Sequence, residues 1–63
     1  MLVKELIEEL SKMDENTEVE ILDGAGPKGL YRIHGIESGF TDAGYYLGQY
    51  KSLTTTPVVV IKI

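Results

Sequence analysis

The chain has 63 residues, a net charge of −4 at neutral pH, one histidine and no cysteine. Disulfides and thiolate metal sites are therefore excluded, and His34 alone is too little for a His-rich zinc site. An acidic whole argues against duplex DNA, whose phosphates need a basic footprint, and the longest apolar run, "PVVVI", is too short to span a bilayer.

A domain this small buries only about 60% of its unfolded surface, so self-association is the expected compensation. The charge is uneven. Residues 1–23 carry eight acids and two lysines, net −6, whereas residues 24–63 set Glu37 and Asp42 against Lys28, Arg32, Lys51 and Lys62, net +2. That second half has room for a small anion. "MLVKELIEEL" is charged at every second or third position and lacks the apolar core of a signal peptide, so the expected location is the cytoplasm.

Leu2, Val3, Leu6, Ile7, Leu10 and Met13 recur at the spacing of one helical face, with Lys4, Glu5, Glu8, Glu9 and Lys12 opposite. No Ser, Thr or Asp precedes Leu2, so the first turn should fray. Residues 14–17, "DENT", end the helix, with Asn16 the candidate for a left-handed stop.

"TEVEIL" then alternates, Val19 and Ile21 pointing one way and Glu18 and Glu20 the other, as a half-buried strand does. "GAGPKG" follows. It is not a Walker loop, since Lys28 leads to Gly29 and a strand, and it lacks the dinucleotide fingerprint. Asp-Gly with further glycines and Pro27 explains a turn, and the alternative is a backbone nest with Lys28 above an anion.

"LYRIHGI", residues 30–36, is the second expected strand, with Tyr31 and Ile33 on one face and Arg32 and His34 on the other. "ESGFTDAG" is expected to be a loop, "YYLGQY" a weak third strand with Tyr45 and Tyr46 on opposite sides, and "PVVVIKI" a closing strand. Short connections favour antiparallel pairing. The expected fold is α+β: one domain, residues 1–63, with an N-terminal amphipathic helix packed on a three- to four-stranded antiparallel sheet.

The closing strand is apolar on both faces, Val58 and Val60 against Val59, Ile61 and Ile63. One helix covers one face, so the other is expected to meet a second copy, most simply across a two-fold axis. The alternative is that the tyrosines and the Thr54–Thr56 loop fold over it.

Lys28, Arg32, His34, Tyr45, Tyr46, Tyr50 and Lys51 concentrate the groups that could grip an anionic aromatic ligand: rings stack, Arg forks phosphate, and His adds a titratable donor. The plainer reading makes Arg32 and His34 solvated, with Arg32 paired across the sheet to Glu18 or Glu20. Ser11, Ser38 and Ser52 lack a nucleophile motif, and alternating Glu18 and Glu20 are the usual solvated pattern, so catalysis is not expected. No cofactor is expected either.

"VKELIEELSKMDENTEVEILDG", "YRIHGIE" and the terminal "VVVIKI" together resemble a loose group of small phage and prophage accessory proteins. Their pattern is a short helix with an acid-rich end, a V-x-I-x-D strand, a Y-x-I-x-G-[IV]-E strand and a valine-rich last strand. Residues 38–56 fall outside the likeness, and no functional residue is carried over. The resemblance implies an anti-defence setting in a bacterial host, where such proteins inhibit a host factor or sequester a signalling nucleotide.

The expected function is therefore non-enzymatic: sequestration of a small nucleotide at a homo-oligomer interface. The alternative is a protein–protein inhibitor of a host factor acting through the acidic helix or the open sheet face. A weak hydrolase using His34 is a third possibility.

Overall fold

A computed structural model describes residues 1–22 and 29–63. The turn-or-nest question at "GAGPKG", Lys28 included, lies outside the described residues. The described chain forms one helix, α1 (Val3–Ser11), and four strands: β1 (Val19–Leu22), β2 (Gly35–Asp42), β3 (Tyr45–Tyr46) and β4 (Thr56–Lys62). The α+β class with an N-terminal helix is as expected.

The start of α1 is held without a Ser or Thr cap. Glu5 Oε1 accepts the Leu2 backbone N–H at 2.9 Å, and its charge suits the positive end of the helix. The stop also differs from expectation. Among the described non-glycine residues only Ala43 has positive φ. Asn16 instead closes an Asx-turn, donating its N–H to Asp14 Oδ1 at 2.9 Å.

The sheet order is β1-β4-β2-β3. β2 is antiparallel to both β3 and β4, but β1 runs parallel to β4, with Val19 opposite Val59 and Ile21 opposite Ile61. The expected neighbour of β1 was the next strand in sequence. The valine-rich last strand takes that place because a run apolar on both faces is most stable at the centre of a sheet. Consequently Arg32 has no cross-strand position opposite Glu18 or Glu20.

The second strand is displaced along the chain. Residues 30–34 are not strand, and the expected loop "ESGFTDAG" supplies most of β2. Its alternation sends Ile36, Ser38 and Phe40 to one face and Glu37, Gly39 and Thr41 to the other. The hairpin to β3 turns at Ala43 (φ 51°) and Gly44 (φ 83°), the pair of positive dihedrals that suits the strands' twist. Beyond β3, Phe40 bonds two residues: Leu47 N–H donates to its carbonyl and its own N–H donates to Gly48 O, both at 2.8 Å. This two-against-one arrangement is a bulge, with Gly48 at φ 60°.

The core is small. Val58, Val59 and Val60 are only 2–3% exposed. Val59 faces α1, whose Leu6, Leu10 and Met13 are half-buried. Val58 and Val60 share the opposite face with Gly39 and Glu37, their register partners. Tyr46 crosses that face above Gly39, and with Val58 and Val60 it lines a cleft of about 90 Å³. The valines expected to lie open to a second copy are thus covered from within the chain.

Gly39 is required by that cover. A Cβ there would stand 2.5 Å from Tyr46 Oη and 2.6 Å from the Gly48 carbonyl oxygen. Gly39→Ala is expected to cost about 1–3 kcal/mol in urea denaturation, because a carbonyl cannot swing aside as a side chain can. Ala43→Gly is expected to stabilise by about 0.5–1 kcal/mol in the same assay, since it relieves a left-handed alanine.

Candidate functional site

A cleft of about 380 Å³ opens between the C-terminal end of α1 and the β2–β4 surface. Its apolar lining comes from Met13, Phe40, Pro57 and Val59, and its polar lining includes Lys12, Asp14, Gln49 and Lys51. Clefts that hold small molecules have this size and this mixture.

Most of the polar groups are already engaged. Glu9 Oε1 holds Lys12 Nζ at 3.0 Å, and that hydrogen bond and charge raise the ammonium pKa above its usual value. Asp14 serves the Asx-turn. Gln49 Nε2 donates to Ser38 O at 2.6 Å, which ties the segment after β3 to β2. Lys51 is different. Its Nζ stands 5.9 Å from the Phe40 ring centroid, within cation–π range, and among the described residues it has no carboxylate partner.

The long β3–β4 connection is shaped by its hydroxyls. Thr55 Oγ1 accepts from Ser52 N–H and donates to Ser52 O, each at 2.9 Å, and Thr54 Oγ1 donates to Asp42 Oδ2 at 3.0 Å. The "SLTTT" run thereby pins the loop that carries Lys51 to the end of β2.

On the opposite sheet face Glu37 joins two partners. Tyr46 Oη donates to Glu37 Oε2, and Lys62 Nζ donates to Oε1 at 3.1 Å. The Tyr46 and Lys62 hydrogen bonds hold the Glu37 carboxyl below its ordinary range. Partial burial, reinforced by the Glu37 charge, pushes the Tyr46 phenol up to about 12. The arrangement braces the covering tyrosine over the core, and we assign it no chemical role.

The described residues among those singled out in sequence do not converge. Arg32 and His34 lie just before β2, where His34 N–H donates to Lys62 O at 2.6 Å and the side chains are exposed. Tyr45 and Tyr46 pair with the far end of β2. An eight-residue strand separates its ends by about 23 Å, so no single small ligand reaches both groups. Tyr45 is exposed, Tyr46 is committed to Glu37, Tyr50 is exposed, and among the described residues of the set only Lys51 reaches the cleft.

Met13, Phe40, Pro57 and Gln49 escaped the sequence reading of the site. The available signal was Phe40, an aromatic alternating with Ser38 and Ile36 inside a stretch read as loop. No protein-family model, curated protein or solved structure matches the chain. The phage setting therefore rests on the quoted motifs alone.

The raised Tyr46 pKa has a signed consequence. The folded state favours the neutral phenol, so its contribution is complete below pH 10 and is lost as the pH rises towards about 12. Denaturation midpoints measured across pH 9–12 are expected to fall steeply for the native chain and more gently for Tyr46→Phe (~9–12 being the span around that phenol's transition). Equal slopes would mean that the phenol is not held neutral by the fold.

Proposed function

We propose that the protein is a non-enzymatic binding module that holds a small organic anion in the cleft between α1 and β2. The observation that carries this reading is Lys51. Its ammonium has no carboxylate partner among the described residues and stands beside an apolar floor in a cleft of about 380 Å³. A ligand with one anionic group and a flat or apolar body satisfies both features: the anion pairs with Lys51 while the body covers Met13, Phe40 and Pro57.

A nucleotide has that composition and matches the anti-defence role that the sequence resemblance implies. Arg32 and His34 do not line the cleft, so recognition rests on one strong charge and on shape.

Calorimetric titration with a panel of mono- and cyclic nucleotides at low salt tests the proposal. At least one is expected to bind, and Lys51→Ala is expected to weaken it about 10-fold or more, the usual worth of a charged hydrogen bond. Absence of heat across the panel, or equal binding by Lys51→Ala, would overturn it.

A further inference from the structure

On the other flank of the helix lies a feature that the cleft does not use. Glu5, Glu8 and Glu9 line a groove with Gly35 and Ile36, and Lys12 and Met13 line the cleft with Ser38 and Phe40, so this side of α1 overhangs β2. At about 100° per residue, Val3 and Ile7 then project from the other side, above β1. They are 76% and 62% exposed. Beneath them, on the same sheet face, Val19 and Ile21 are 49% and 64% exposed. Two of the six residues of the helix's apolar stripe and the apolar side of one strand therefore form a single uncovered strip.

β1 is also an edge strand. Val59 N–H donates to Glu18 O at 2.9 Å, and Ile63 N–H donates to Leu22 O at 3.4 Å. The even-numbered residues thus turn their backbone groups towards β4. By the period-two alternation, Val19 and Ile21 turn theirs outwards, where no described strand pairs with them.

The exposed surface is large for the mass of the chain. The chain presents 5194 Å² of surface, whereas a compact monomer of 7.0 kDa presents about 4000 Å². Part of that surplus of about 1200 Å² is the uncovered strip of Val3, Ile7, Val19 and Ile21, each about half-exposed or more.

We propose that the outer edge of β1 joins antiparallel to β1 of a second copy, with Val3 and Ile7 of each copy closing over the seam. The outward backbone groups restrict the register to pairs of odd-numbered residues, and charge selects among them. Pairing Val19 with the partner's Ile21 sets Glu20 directly opposite the partner's Glu20. Pairing Val19 with the partner's Val19 sets Glu18 opposite the partner's Glu20. Directly opposed like charges are unfavourable. Pairing Ile21 with the partner's Ile21 on the two-fold axis sets Glu20 opposite the partner's Leu22 instead, and no acid meets an acid within β1. Both helices then lie on one side of a continuous eight-stranded sheet, and the Val19 and Ile21 side chains of the two copies form its central stripe.

This inference is independent of the ligand reading, because the cleft lies on the other flank of α1. Light scattering on the native chain at micromolar concentration is expected to give twice the 7.0 kDa protomer mass. Ile21→Lys, an exposed change, is expected to restore the protomer mass with the circular dichroism unchanged. The native chain has no cysteine, so single-cysteine variants test the register directly. Ile21→Cys is expected to form a covalent dimer rapidly under mild oxidation, while Glu20→Cys, displaced from its counterpart along the strands, reacts at least ten-fold more slowly. A protomer mass for the native chain at every concentration, a dimer that survives Ile21→Lys, or equal cross-linking at the two positions would overturn the proposal.

Discussion

The structure depends on the burial of β4 between two strands and between two covers. A strand carrying valine at three successive positions has no solvent face, so the fold must hide both sides at once. α1 does so on the side of Val59, and Tyr46 does so on the side of Val58 and Val60. The two covers differ in kind. Leu6, Leu10 and Met13 cover by apolar area, which is non-directional and tolerant of small shifts. Tyr46 covers by position, since its ring fits only above a residue without a Cβ and its hydroxyl is anchored by Glu37. Glu37 is in turn held by Lys62, from the end of β4 itself, so the central strand helps to fix the lid that buries it.

Much of this was legible in the sequence. The helical stripe and the strand at 19–22 have clear periodicity, the strand at 56–62 is rich in β-branched residues, and all three sit close to where they were expected. The second strand was misplaced because Ser38 and Gly39, within "ESGFTDAG", read as loop residues. Gly39 has its place in the strand because Tyr46 from the next hairpin packs over it, and no local rule reveals that. The parallel pairing was missed for a related reason. Proximity along the chain favours consecutive strands, but the energetic demand of the valine run placed it between β1 and β2. The same valine pattern was read as an open face when its better physical meaning is a central strand.

The candidate site shows a different limit. Residue types point to chemistry, but strand placement decides which of them meet. Arg32 and His34 share chemistry with Tyr45 and Tyr46, and a whole strand keeps them apart. Lys51 reaches the cleft because the Ser52–Thr55 hydrogen bonds and the Gln49–Ser38 contact fold its loop back onto β2. Those polar residues carry no ligand-binding signature of their own. They act by determining where a cation is held.

The sheet's two edges are unlike, and the difference decides what kind of assembly β1 can make. β3 has only two residues, and the chain leaves it through a bulge at Phe40, so that edge offers almost no ladder for another strand to extend. A head-to-tail array would need both edges. With one blunted, β1 can find a long partner only in another β1, and an isologous contact closes on itself after two copies. The acids of β1 sharpen the choice, because Glu18 and Glu20 penalise the registers that would bring them face to face. An exposed apolar edge is ordinarily an aggregation hazard. In the proposed dimer, the short opposite edge and two glutamates would make it a contact that terminates.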